Sequence, residues 1–266
     1  MLFSNTAILR CHKKGDTEMN KLKVFTQPTD SPDTYLVYWT NNLICPKGVI
    51  KAIVPGQMED KMIAAELRAI QYLLEERWVL GEHAIGNANM LLIVSLGAIK
   101  KLKHKRSDKA HLARYAEFLC TRFAGCKLEI DKDDRLFKEG NLEQTELIVT
   151  APVPENVELR GIGRVSVTRH VLERLAKRLP ADRAADPAKA WKMLQRMASD
   201  PSVKEVGRNS DVFTRLSFLK RGQNEGRYFL NPKMNMILVV ADNARGKNLV
   251  TTYSANSRFF NMTAAA

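Results

Sequence analysis

A histidine stands among arginines in residues 165–179, at a spacing that an α-helix would bring together. His170 and Arg174 are four residues apart, so on a helix they share one face. An imidazole titrates near neutral pH and can transfer protons, and a guanidinium presents paired donors to a phosphate. The pair is therefore suited to acid–base chemistry on a phosphodiester.

The apolar residues of the same segment predict the helix that would position this pair. They recur at helical spacing: Val167, Val171, Leu172, Leu175 and Leu179. Thr168 or Ser166 can cap the start, and Pro180 follows the last apolar residue. We expect a helix over 168–179 whose basic side chains lie off the apolar stripe.

RNA cleavage is a reaction that such a helix can support without a metal or cofactor. A base takes the proton of the 2′-hydroxyl, cations hold the charge on phosphorus, and an acid protonates the leaving 5′-oxygen. His170 suits a proton transfer, and Arg174 suits the charge. Thr252 and Tyr253, in a strand-like run, complete the predicted catalytic set. The alternative is a basic helix that only binds nucleic acid, with both strand residues present for their strand propensity.

The charge of the chain is concentrated in its second half. The 266 residues carry a net charge of +13; residues 151–266 hold 20 Lys and Arg against 10 Asp and Glu, whereas residues 1–150 hold 22 against 19. A domain this basic favours a phosphate-rich partner. RNA is the expected partner, with DNA or a protein as alternatives.

A second basic run follows a short apolar strand. It contains five cations in seven residues: Lys100, Lys101, Lys103, Lys105 and Arg106. With Arg169 and Arg178, these residues are predicted to bind nucleic-acid phosphates; the alternative is an exposed basic loop. His104 and His111 have no Cys or carboxylate at ligand spacing, so no metal site is expected there.

The cysteine pattern and the apolar runs exclude two classes of protein. No C-x-x-C spacing connects the four cysteines, at 11, 45, 120 and 126, which argues against a disulfide scaffold. The first residues lack a signal-peptide apolar region, and no run reaches membrane-spanning length. We expect a cytoplasmic protein without a membrane partner.

The order of elements predicts an α/β half followed by an α+β half. In the first half, strands are expected at 21–26, 34–40, 48–54, 90–94 and 127–130, with helices at 59–78 and 110–123. After an irregular region at 131–164, helices are expected at 168–179 and 187–199, then antiparallel strands at 203–206, 213–219, 226–230, 234–242 and 248–254. The domain boundary is expected near 150–160.

The first-half order resembles the ribonuclease H-like fold over residues 20–135. That resemblance implies carboxylates on the first strand, the first helix and the fourth strand, which together bridge two divalent ions. Here these positions fall at Gln27, at Glu66, and at Ser95 or Leu96. One carboxylate of three is too few, so the resemblance implies a non-catalytic domain over 21–150. A metal-dependent nuclease is the alternative if the first-strand register differs and Asp30 or Asp33 supplies a ligand.

The segment from Thr168 to Arg178, the run 237–240 and the run 249–253 resemble the barnase–EndoU–colicin–RelE group of ribonuclease toxin domains, over residues 160–258. The resemblance implies metal-independent RNA cleavage by His170 and Arg174 from the helix and Thr252 and Tyr253 from the last strand. The predicted organisation is then an extension (1–20), the ribonuclease H-like domain, this basic α+β domain and a flexible tail (259–266). The alternative function is non-catalytic binding of nucleic acid or a host factor.

Overall fold

A computed structural model describes residues 19–42, 47–81, 89–137, 142–178, 187–210, 214, 226–243 and 246–255. The described residues form two compact units. The first contains residues up to 100 together with 126–149, and the second contains 101–125 together with residues from 150 onward. Each unit contains one six-stranded sheet.

The sheet of the first unit is mixed. Its strands are β1 (Asn20–Pro28), β2 (Thr34–Asn41), β3 (Lys47–Ile53), β4 (Met90–Val94), β5 (Lys127–Ile130) and β6 (Glu143–Ile148), in the order β5-β4-β1-β2-β3-β6. β1, β2 and β3 are antiparallel neighbours, β4 is parallel to β1, β5 to β4, and β6 to β3.

Helix α1 (Lys61–Glu75) packs on β1, β2 and β3. Its inward face is mostly apolar, with Leu67, Ile70 and Leu74 completely buried. A sheet covered in this way buries alternate strand residues, and Leu22 and Val24 of β1 are likewise completely buried. Helix α2 (Gly97–Lys103) follows β4.

The second unit combines helices with a mostly antiparallel sheet. Its strands are β7 (Asn156–Leu159), β8 (Gly163–Val167), β9 (Lys204–Glu205), β10 (Gly226–Asn231), β11 (Met236–Asn243) and β12 (Gly246–Ser254), in the order β7-β8-β12-β11-β10-β9. Only the β8–β12 pair is parallel in this part of the described chain. Helices α4 (Arg169–Ala176) and α5 (Pro187–Ser199) share one core with the sheet, centred on Val171, Trp191 and Leu238.

The predicted fold class, α/β followed by α+β, is confirmed. The predicted helix over 110–123 is wrong: the structure has a 3₁₀ turn at Ala110–Leu112 and a short helix, α3 (Glu117–Cys120). Thr121, with φ −121° and ψ −96°, leaves the helical region and ends α3. The predicted strand at 213–219 falls outside the described residues, apart from Thr214.

Three strands lie in the region that the sequence left irregular. β6 is an edge strand whose residues Glu143, Gln144 and Glu146 are exposed, and its pairing with β3 comes from the backbone. β7 and β8 are only four and five residues long. Such strands carry little apolar alternation, so periodicity does not reveal them.

Residues 101–125 pack with the second unit, although the predicted domain 21–150 included them. Polar contacts, described below, join Lys105, Glu117 and Cys120 of this segment to α4. Most of the predicted extension, 1–18, and all of the predicted tail, 259–266, lie outside the described residues. In the described residues no helix is both long and apolar enough to span a membrane.

Gly48 provides a test of the packing in the first unit. A Cβ at this position would lie 2.6 Å from Nε1 and 2.9 Å from Cε2 of Trp39, its buried neighbour across β2 and β3. We expect Gly48→Ala to lower the free energy of unfolding by about 1–3 kcal/mol, because the indole must move. Urea unfolding measures this change. Gly97→Ala is the control, since its Cβ would meet only Ile130 Cδ1 at 3.5 Å; equal stability of both variants would contradict the packing.

Candidate functional site

The site begins where the chain leaves β8 and enters α4. Val167 ends β8 and pairs with Leu249 of β12. α4 then packs on β12 and buries Val171, Leu172 and Leu175. The opposite side of the helix is consequently exposed.

Two predicted catalytic residues lie together on that exposed side. Arg174 Nε donates a hydrogen bond to His170 Nε2 at 3.4 Å, and both residues are exposed. A neutral imidazole that accepts at Nε2 carries its proton on Nδ1. The helix therefore brings a proton acceptor and a cation into contact, as the four-residue spacing predicted.

Arg178 extends the same row. Its Nη1 donates to the Arg174 carbonyl oxygen at 3.0 Å, and its guanidinium lies 5.4 Å from the centre of the Tyr253 ring. Partial burial and the neighbouring Arg174 lower the pKa of Arg178, while Tyr253 acts in the opposite direction. We call His170, Arg174 and Arg178 the α4 basic face.

The structure separates Thr252 from Tyr253. Thr252 pairs with Leu238, a member of the core beneath α4 and α5, and is completely buried. Tyr253 pairs with Ile237 and packs with the cluster on the other side of the sheet. Among the described residues, Thr252 Oγ1 has no hydrogen-bond partner. Successive strand side chains point to opposite faces, so Thr252 does not join the exposed residues.

Arg169 is held by the protein itself. Its backbone N–H donates to the Glu117 carboxylate, and its Nε donates to Glu173 Oε1 at 2.9 Å. Its Nη1 donates to the Lys103 carbonyl oxygen at 3.3 Å and to Cys120 Sγ at 3.2 Å. Arg169, predicted to contact a flanking phosphate, thus joins α4 to residues 103–120.

Burial changes the pKa of two groups that contact Arg169, the Glu117 carboxyl and the Cys120 thiol. Burial raises the pKa of Glu117, and the hydrogen bond and charge of Arg169 offset part of that effect. Burial also raises the pKa of the Cys120 thiol, again against the charge of Arg169. The thiol is therefore a neutral acceptor for Arg169 rather than an activated nucleophile.

The basic run at 100–106 does not form one uniform surface. Lys100, Lys101 and Arg106 are exposed, whereas Lys103 is buried. Lys105 Nζ donates to Glu173 Oε1. Three of the five residues of this run, Lys100, Lys101 and Arg106, are therefore exposed, and the contacts described include no acidic partner for them.

Glu66 is the centre of the polar cluster in the first unit. It is completely buried on α1; its Oε1 accepts from the Ser95 backbone N–H at 2.8 Å and its Oε2 accepts from the Ser95 hydroxyl. The Thr26 backbone N–H donates to Ser95 Oγ at 3.1 Å. Burial raises the pKa of Glu66, and the hydrogen bonds from Ser95 offset part of the shift.

The first-strand position opposite Glu66 is Thr26, so the register predicted with Gln27 is wrong by one residue. Gln27 Nε2 donates to the Tyr38 hydroxyl at 3.0 Å, on the other face of β1. A shift of one residue moves a side chain to the opposite face of a strand. Asp33, the proposed rescue ligand, pairs with Lys61 instead.

The residues around Glu66 do not fit a pair of divalent ions. Both carboxylate oxygens accept hydrogen bonds from Ser95, and the neighbours described at Thr26 and Ser95 are hydroxyls. Divalent ions of this kind require several anionic oxygens. No metal-dependent step follows from this cluster.

Comparisons with family models and with curated proteins find no match. Among solved structures, the chain is similar to RNase H1 from the halophilic archaeon Halobacterium salinarum NRC-1. The two share 15% sequence identity with a TM-score of 0.31, over 42% of this chain and 83% of that chain.

The buried Glu66 predicts a pH dependence of stability. Its pKa in the folded chain lies above the usual 4.5, so folding takes up a proton. The stabilisation from protonated Glu66 is complete below that usual value and is lost as the pH rises through the folded pKa. Glu66→Gln retains an acceptor for Ser95 and does not titrate. The free energy of unfolding of the variant should therefore not include this decline with rising pH.

Urea unfolding of both proteins between about pH 4 and 8 measures this difference. Relative to the parent, Glu66→Gln should become more stable as the pH rises. Glu146→Gln, whose side chain is 54% exposed on β6, is the control and should follow the parent. Parallel curves for the parent and Glu66→Gln would contradict the burial of a raised-pKa carboxyl.

Proposed function

We propose that the second unit binds RNA through the α4 basic face and cleaves it without a metal. The observation that carries this proposal is the exposed contact between His170 Nε2 and Arg174 Nε, at 3.4 Å. It supplies a proton acceptor and a phosphate-binding cation on one surface. Cleavage without a metal is also what the resemblance of 160–258 to ribonuclease toxins implies.

The contact suggests how the phosphate prepares the base. A phosphate that binds the Arg174 guanidinium draws it away from His170 and frees the lone pair of Nε2. Nε2 then accepts the 2′-hydroxyl proton while the 2′-oxygen attacks phosphorus. Arg174 and Arg178 hold the negative charge that develops on the phosphorane.

The leaving 5′-oxygen takes a proton as its bond to phosphorus breaks. Tyr253, half-buried beside Arg178, is the proposed donor. The products are a 2′,3′-cyclic phosphate and a 5′-hydroxyl, so this step consumes neither water nor an oxidant. DNA lacks the attacking oxygen and is expected to bind without being cut.

The remaining parts of the chain complete the proposal. The excess of cations in residues 151–266 supports a nucleic-acid partner, with Lys100, Lys101 and Arg106 as further phosphate contacts. The first unit serves as a non-catalytic ribonuclease H-like domain. Cys120 and Cys126 carry reduced thiols, which supports a cytoplasmic location.

A second candidate function is RNA binding without cleavage. The complete burial of Thr252 favours it, because one of the four predicted catalytic side chains then has no access to a substrate. The same cationic face would serve both functions. Only the cleavage experiment below separates them.

Binding should depend on Arg174 and on salt. Six to ten phosphate contacts would lower RNA affinity by roughly 10³- to 10⁵-fold between about 50 and 200 mM salt, because each contact releases a counterion. Arg174→Ala should weaken binding. It should also reduce the slope of log affinity against log salt concentration by about one, the value of one phosphate contact. Arg164→Ala is the control; its side chain is 76% exposed on β8. Fluorescence anisotropy with labelled RNA measures both, and salt-independent binding would refute the phosphate contacts.

Cleavage should depend on His170. We expect His170→Ala to lower the cleavage rate on the order of 10²- to 10⁴-fold with little change in binding, because a general base contributes about that factor. His111→Ala, at another exposed histidine of the second unit, is the control. Gel analysis of labelled RNA with EDTA present should show products ending in a 2′,3′-cyclic phosphate. If the parent cuts no RNA, or if His170→Ala cuts as fast, binding without cleavage becomes the better description.

A further inference from the structure

A pocket of about 210 Å³ opens on the side of α4 that faces residues 103–124. Leu119 and Leu172 give it apolar walls, and two small residues, Ala124 and Ala176, leave its interior empty. Pockets for drug-sized molecules are typically about 300–1,000 Å³. This pocket is therefore sized for a single ring system rather than for a drug-sized molecule.

Two charged residues line the same pocket and retain unused hydrogen-bonding atoms. Among the described residues, both hydrogen bonds that Glu173 accepts end at Oε1, from Lys105 and from Arg169. Arg169 donates from its backbone N–H, Nε and Nη1. Glu173 Oε2 and Arg169 Nη2 thus remain as one acceptor and one donor on neighbouring side chains. Every nucleobase has an edge on which a donor and an acceptor stand side by side.

The pocket lies close to the α4 basic face. Arg169 and Glu173 line it, while His170 and Arg174 are the next residues along the same helix. Successive helix residues are about 100° apart around the axis, since a turn takes about 3.6 residues. A nucleotide whose phosphate contacts Arg174 can therefore turn its base around the helix toward Glu173.

We propose that this pocket receives one unstacked nucleobase of a single-stranded RNA. The base lies between the apolar walls and pairs its polar edge with Glu173 Oε2 and Arg169 Nη2. Single-stranded RNA is generally recognised through bases that are splayed out and hydrogen-bonded on their edges. The pocket rests on the proposed function, since it selects the nucleotide whose phosphate the α4 basic face binds.

Filling the pocket tests the proposal without disturbing the phosphate contacts. Ala176→Met adds a flexible apolar side chain inside the pocket and retains a good helix former. Ala124→Met fills it from the opposite wall, which keeps the test open if one variant fails to fold. Ala113→Met makes the same change at an exposed position of the second unit and outside the pocket. Circular dichroism confirms that each variant is folded.

The ligands are short 2′-O-methyl RNAs, which have no free 2′-hydroxyl and cannot be cleaved. One series carries each of the four bases, and the reference is an abasic strand of equal length. The parent and Ala113→Met should bind at least one base series roughly 5- to 150-fold more tightly than the abasic strand, the range typical of one bound base. Ala176→Met and Ala124→Met should lose that preference and bind the abasic strand as the parent does.

The outcomes separate the pocket from the phosphate surface. The pocket is not a base site if the parent binds the abasic strand as tightly as it binds every base series, or if the preference for a base survives in both filled variants. The proposed phosphate surface is unaffected by either result. If the parent binds no strand even at low salt, the proposed function is wrong and the base site falls with it.

Discussion

The second unit depends on how the first turn of α4 is held. A helix start leaves backbone N–H groups without intrahelical partners, and the Thr168 side chain supplies no cap. The Glu117 carboxylate, from α3, accepts one of these N–H groups, and Arg169 adds contacts to Glu173 and Cys120. A buried backbone donor is costly to leave unpaired. The residue after Arg169 is His170, so the contacts that hold the start of the helix also position the backbone that carries the imidazole.

A buried carboxylate in the first unit, Glu66, and a half-buried one in the second, Glu117, serve internal hydrogen bonding through different partners. Glu66 binds the backbone and hydroxyl of a single residue, Ser95, in a site without a nearby cation among its described contacts. Glu117 faces Arg169 and Lys105. Burial raises the pKa of each carboxyl, but only Glu117 has cations that offset the penalty. Neither carboxylate is free to coordinate a metal. The chemically useful groups are therefore the exposed cations.

Local patterns in the sequence were enough to predict the parts of the site that lie on one helix. His170 and Arg174 come together because a helix repeats locally. Val171, Leu172 and Leu175 of the apolar stripe below them are buried as predicted, whereas Leu179 lies outside the described residues. Contacts that depend on distant parts of the chain were not predictable. The Glu117–Arg169 contact joins residues 52 apart, and the face taken by Thr26 or Gln27 depends on strand register. The sequence predicts Thr252 and Tyr253 as members of one catalytic set, whereas successive strand side chains point to opposite faces of the sheet.

The chain enters the second unit at residue 101 and returns to the first at 126. β5 and β6, made from 127–130 and 143–148, complete the first sheet only after the segment carrying Glu117 has been synthesised. That segment must then wait for α4 and the later strands before its polar groups find their partners. During synthesis on the ribosome, each unit can therefore finish folding only after part of the other unit has been made. A cut of the chain near residue 150 would therefore leave residues 101–125 with the first unit and remove them from the second.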